Sequence, residues 1–138
     1  MSEFQLNERL EKGGFLVGKY GSCQLLLKNN AHYLWFILVP EVPNGEEEIN
    51  ELPAGQREEV FAMIDGLSRL LKREWQVDKV NWASIGNQVR QMHIHIVGRT
   101  EQDPAWPGVV WACSEKKPFK SEEVEELMQV VRQNLSVR

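Results

Sequence analysis

Gln91-Met92-His93-Ile94-His95-Ile96-Val97 alternates polar and apolar residues with a period of two. That is the period of a β-strand, so Gln91, His93 and His95 share one face while Met92, Ile94 and Ile96 share the other. The aliphatic face requires a core beneath it. The opposite face carries two imidazoles roughly 7 Å apart, the spacing of residues i and i+2 on a strand. Two of the three histidines in the chain fall here.

Working outward, Lys79 to Ser84 has strand character, and Gly86-Asn87 is a turn that leads into the histidine strand. Cys23 to Lys28 and Tyr33 to Val39 are apolar runs of strand length, joined by the turn-like Asn29-Asn30-Ala31-His32, so they are expected to pair as an antiparallel hairpin. Phe15-Leu16-Val17 is a further short strand. Residues 4–12 are expected to form a short helix that Gly13-Gly14 ends by taking positive φ. Residues 40–52 form a polar loop containing Glu46-Glu47-Glu48. From Pro53 to Trp75 the period changes. Val60, Ile64, Leu67, Leu71 and Trp75 fall on one face of a long helix that Pro53 opens. Val124, Leu127, Met128, Val131 and Leu135 make a second amphipathic helix over about 121–136, with Ser121 as its N-cap. The fold class is α+β, in a single domain over residues 1–138.

The chain of 138 residues carries 16 Lys and Arg against 20 Asp and Glu, a net charge of −4. A polymer of phosphates needs a dense basic face, so a nucleic-acid polymer is not an expected partner. No apolar run approaches the length of a membrane span. Cys23 and Cys113 offer no disulfide framework and no metal-binding spacing, and the N-terminus has no secretory character. A cytoplasmic domain is expected.

The paired imidazoles admit three readings. They are a solvent-facing polar pair, two ligands of a zinc site, or a phosphoryl-transfer pair in which one ring attacks and the other donates a hydrogen bond. The zinc reading lacks a clear third ligand. Asn81 and Gln88 are neutral donors suited to phosphate oxygens, and Arg99 is more readily a surface residue closing a strand.

The run Gly86 to Arg99 resembles the signature of the histidine triad (HIT) family, a Gly-rich turn followed by His-φ-His-φ-His-φ-φ, and Trp106-Pro107 resembles the segment that follows it. The version here is similar to a bacterial branch with Gln-φ-His-φ-His. The resemblance covers about residues 5–112. It implies a five-stranded antiparallel sheet with a long helix, the helix at 121–136 being additional. It implies that His93 is the nucleophile on an α-phosphate and that His95 contacts the phosphate or leaving group. Gln91 then stands where the first histidine orients the nucleophile, and Gln88 and Asn87 approach the phosphate. Asn81 resembles an upstream amide that contacts the phosphate or the leaving side. Asn29 and Asn30 are weak candidates for the ribose, and Trp106 either closes the cleft or packs at a dimer edge.

The implied ligand is a purine nucleotide or nucleotide conjugate such as a phosphoramidate or dinucleoside polyphosphate. The implied assembly is a homodimer, and no metal or other cofactor is called for. Because Gln91 carries no charge, a nucleotide-binding module with little catalysis is the alternative.

Overall fold

The computed structural model describes residues 3–137. The two ends of the expected domain, Met1, Ser2 and Arg138, lie outside them. Five strands form one sheet: β1 (Gly14–Tyr20), β2 (Cys23–Lys28), β3 (Leu34–Pro40), β4 (Lys79–Ala83) and β5 (Ile94–Arg99). The spatial order is β1-β2-β3-β5-β4, and every pairing is antiparallel. The helices are α1 (Glu8–Lys12), the long α2 (Ala54–Trp75) and α3 (Ser121–Asn134). No helix is long and apolar enough to cross a membrane among the described residues.

Strand alternation divides the sheet into two faces. Leu25, Leu27, Phe36, Leu38, Ile94 and Ile96 point to one side, where α2 packs with Val60, Ile64, Leu67 and Leu71. This is the main core, and α3 closes it through Val124 and Val131. Leu26, Trp35, Ile37 and Val97 point to the other side and build a smaller cluster with Leu10 of α1 and Val110. This second face carries the site.

Local differences from the sequence reading have local causes. α1 starts at Glu8 rather than Phe4 because Asn7 Oδ1 accepts the Arg9 N–H at 2.8 Å and caps it there. Gly13 keeps a negative φ of −80°, so positive φ does not end the helix. Gly14 is needed for space instead: a Cβ there would collide with the Leu27 carbonyl of β2. β1 continues to Tyr20 through an irregularity between Leu16 and Gly18. At Gly21 φ is +55°, and a Cβ would collide with the Glu59 carboxylate, which accepts from Ser22 N–H at 3.0 Å. Lys120 rather than Ser121 occupies the N-cap of α3. β5 begins at Ile94, so Gln91 and His93 precede the strand. Cys23 is buried, and burial followed by the charge of Glu59 pushes its thiol up to about 12, which leaves it inert.

Arg99 is 2% exposed, contrary to its expected surface position. Its guanidinium donates to both Asp103 carboxylate oxygens at 2.7 and 3.0 Å, to Asn81 Oδ1 at 2.7 Å and to the Gly108 carbonyl at 2.8 Å. It also lies over the Trp106 ring at 5.7 Å. The pair fastens the turn after β5 to β4. Burial alone raises the Asp103 pKa. Hydrogen bonds from Arg99 and from the Thr100 and Trp106 N–H groups outweigh it, so the net shift is downward.

Removing one member of a buried ion pair leaves the other charge uncompensated. Asp103→Ala is therefore expected to cost about 3–5 kcal/mol in urea unfolding at neutral pH. A depressed carboxylate stabilises the fold above its unfolded pKa and loses that contribution as pH falls through the folded value. The gap between wild type and variant should accordingly narrow in acid titrations carried below about pH 4.

Candidate active site

Register places the site. Leu26 of β2 faces Ile37 of β3, and Ile37 faces His95 of β5. One same-face step along, Trp35 faces Val97, and Gly14 of β1 faces Lys28. On this floor lies a cleft of about 620 Å³. Arg9, Leu10, Gly13 and Gly14 form one wall, and Ile85, Asn87, Gln88 and Val89 form the other. Trp111 and Lys116, from the segment before α3, also line it. The second wall is a loop held at both ends. Ser84 Oγ donates to the His93 carbonyl at 3.2 Å, and Arg90 pairs with Glu47 at 3.1 Å.

The two imidazoles are fixed in opposite tautomers by their partners. His93 Nδ1 lies 2.7 Å from the Gln91 carbonyl oxygen. A carbonyl only accepts, so Nδ1 carries the hydrogen, and the lone pair of the neutral ring is on Nε2. His95 Nδ1 lies 2.9 Å from the Trp35 indole nitrogen. An indole N–H only donates, so His95 Nδ1 accepts and its hydrogen is on Nε2. The rings meet edge to face with centroids 4.9 Å apart. One nucleophilic nitrogen and one N–H donor thus stand side by side.

Charge around the rings favours their neutral forms. Burial lowers the His93 pKa against the opposing effect of its backbone hydrogen bond, and Lys28 adds to the lowering. Burial, then His93 and Lys28, push His95 down to about 3. Arg9, Lys28 and Lys116 supply positive charge, and no acidic side chain lines the cleft among the described residues. The Lys28 ammonium sits 5.0 Å from the Trp35 ring centroid. Burial, then Lys116, lowers its pKa from the ordinary lysine value. No cluster of three or more His, Cys, Asp or Glu side chains suited to a metal ion occurs among the described residues.

The cleft brings together His93, His95, Asn87 and Gln88. The other residues singled out from sequence lie elsewhere, each held by a specific partner. The Gln91 side chain turns away from the cleft, accepting the Asn7 N–H and donating to the Gln5 carbonyl, both at 2.8 Å. Its main-chain carbonyl is what holds His93. Asn81 is committed to Arg99. Asn29 Oδ1 accepts the Phe119 N–H at 2.8 Å, and Asn30 Nδ2 donates to the Glu115 carbonyl at 3.2 Å, so both tie down the segment before α3. Trp106 packs on Arg99.

The HIT domain model matches residues 9–102, two thirds of the chain. The chain belongs to the histidine triad family. A histidine triad protein from Sinorhizobium meliloti 1021 is 35% identical, with a TM-score of 0.90 over 96% of this chain and 97% of its own. One from Marinobacter aquaeolei VT8 is 36% identical, with a TM-score of 0.91 over 98% of both chains. One from Bradyrhizobium japonicum is 31% identical, with a TM-score of 0.90 over 96% of this chain and 98% of its own. A Sulfolobus tokodaii protein described as a hypothetical histidine triad nucleotide-binding protein shares the fold at 19% identity, with a TM-score of 0.63 over 88% of this chain and 83% of its own. No curated protein matches significantly.

Sequence reasoning missed four contributors to this histidine triad cleft. Trp35 reads as a core aromatic, and only the register shows its N–H reaching a histidine. Arg9, Lys28 and Lys116 are scattered through the chain, and nothing local marks them as neighbours. The alternation Leu26-Leu27-Lys28 did carry a signal, since it sets Lys28 on the same face as Leu26.

Trp35→Phe keeps the aromatic packing but removes the donor to His95. Long-range proton–nitrogen NMR spectra should show His95 as the Nε2–H form in the native protein and as a tautomer mixture in the variant. A pure Nε2–H form in both would contradict the assignment.

Proposed function

We propose that the chain is a nucleotide hydrolase or nucleotidyl transferase acting on the α-phosphate of a nucleotide conjugate, phosphoramidates and dinucleoside polyphosphates being the substrate classes. The observation that carries this reading is the side-by-side pairing of a lone pair on His93 Nε2 with an N–H on His95 Nε2, in a cleft lined by cations.

In the first step His93 Nε2 attacks phosphorus. A P–N bond forms as the bond to the leaving group breaks, and the leaving group departs with its electron pair and takes a proton from solvent. His95, its pKa near 3, stays neutral and donates a hydrogen bond to a phosphoryl oxygen rather than a proton. Gln88 and Asn87 amides approach the same group from the loop. In the second step water attacks the same phosphorus. A P–O bond replaces the P–N bond, the electron pair returns to Nε2, the attacking water loses a proton to solvent, and the nucleoside monophosphate leaves. Leu10, Leu26 and Val89 offer apolar surface for the base, for which a purine is the proposed occupant.

A binding module with little catalysis is the second reading, prompted by Gln91. What favours catalysis is that the Gln91 main chain, not its side chain, orients His93. An amide at this position therefore leaves the nucleophile aimed.

The proposed working unit is a cytoplasmic homodimer. β4 is an edge strand with unpaired backbone groups on its outer side, and edges of this kind recruit further strands. Beside it Trp82 and Phe61 are 49% and 46% exposed, packed against each other edge to face at 6.1 Å. Exposed aromatics of this size mark contact surfaces.

His93→Ala should reduce turnover of adenosine 5'-phosphoramidate to background while the circular dichroism spectrum and melting transition are retained. Mass spectrometry of the quenched wild-type enzyme should find a nucleotidyl adduct on His93. Nucleotide binding without turnover or adduct in the wild type would favour the binding module. Trp82→Glu should shift the particle mass from dimer to monomer in light scattering, and an unchanged mass would count against this edge as the interface.

A further inference from the structure

Three cations line the cleft from three separate parts of the chain. Arg9 comes from α1, Lys28 from the end of β2 and Lys116 from the segment before α3. None of them is in an ion pair among the described residues, although acids outnumber bases in the chain as a whole. Lys28 is half-buried, and burial followed by the nearby charge of Lys116 disfavours its protonated form. Like charges gathered without a carboxylate are a cost to the fold, and an anion relieves it.

The backbone that carries Lys28 is set apart from the one that carries His95. His95 is on β5 and Lys28 on β2, with β3 between them, so their backbones are roughly 10 Å apart across the sheet. Lys28 is also one same-face step beyond Leu26, which pairs with Ile37, and its ammonium lies beside the Trp35 ring. A phosphate joined to the first through one bridging oxygen stays beside the histidines. A phosphate on the far side of a sugar can reach across.

We propose that Arg9, Lys28 and Lys116 bind a second phosphate of the ligand, carried on the sugar, so that the preferred ligands are nucleoside 5'-phosphates or their conjugates with a further phosphate on the 2' or 3' oxygen. This inference rests on the nucleotide reading above for the identity of the first phosphate.

Titration calorimetry with AMP, ADP, adenosine 3',5'-bisphosphate, adenosine 2',5'-bisphosphate and inorganic pyrophosphate tests it without requiring turnover. One added charge-assisted contact corresponds to a gain of about tenfold or more in affinity. At least one of the two sugar bisphosphates should show that gain over both AMP and ADP. The preference should weaken in Lys28→Gln and in Lys116→Gln, and vanish when the two are combined. Equal affinities, an ADP affinity matching the better bisphosphate, or a preference that survives the double substitution would each overturn the proposal. Failure of the nucleotide reading looks different. In that case no adenosine compound binds, and pyrophosphate binding that disappears in the double variant would still support the phosphate site, while its persistence or absence would overturn it.

Discussion

The antiparallel register of β3 on β5 sets Ile37 opposite His95 and Trp35 opposite Val97. Everything at the site depends on it. With this pairing Ile94 and Ile96 enter the core under α2, and His95 faces the cleft with the Trp35 N–H within hydrogen-bond reach. A slip of one residue would turn every side chain of β5 to the opposite face, placing a histidine against Val60 and Leu67 and an isoleucine in the cleft. The burial of the aliphatic residues enforces the register, since each fully buried Ile or Leu is worth about 1.5–3 kcal/mol. The hydrophobic core thus selects the tautomer of a cleft imidazole through a strand pairing.

Much of this was legible in the sequence because strand and helix periods are local properties. The alternation around His93 and His95, the apolar run of β2 and the spacing of Val60, Ile64, Leu67 and Leu71 each identify an element from neighbouring residues. The family signature then supplied the number of strands and their antiparallel sense. Gln91 and Asn81 were harder. Both have side chains suited to the chemistry expected of them, yet both are held by long-range partners, the N-terminal segment and Arg99, which no local pattern reveals. Arg99 itself looks like an ordinary strand-end cation until Asp103 is seen folding back on it. The three cations of the cleft are separated by most of the chain and only the tertiary fold unites them.

The electrostatic character of the chain and that of its cleft are therefore opposite. A net charge of −4 describes the whole chain, and read alone it argues against a nucleic-acid polymer as partner. The cleft inverts that sign by gathering cations and excluding carboxylates over a small area. Bulk charge discourages binding to long phosphate polymers, while the local field suits a small anion. Keeping both imidazoles neutral belongs to the same design, because positive charge nearby and burial each oppose their protonation.

The family-matched region ends at residue 102, yet Trp111 and Lys116 line the cleft beyond it. They are held there by Asn29 and Asn30 at the β2–β3 turn, which grip the chain near Glu115 and Phe119. During synthesis the sheet and both histidines therefore leave the ribosome before the residues that complete the cleft. The cleft is therefore complete only once that later segment docks, and not with the pairing of the sheet alone.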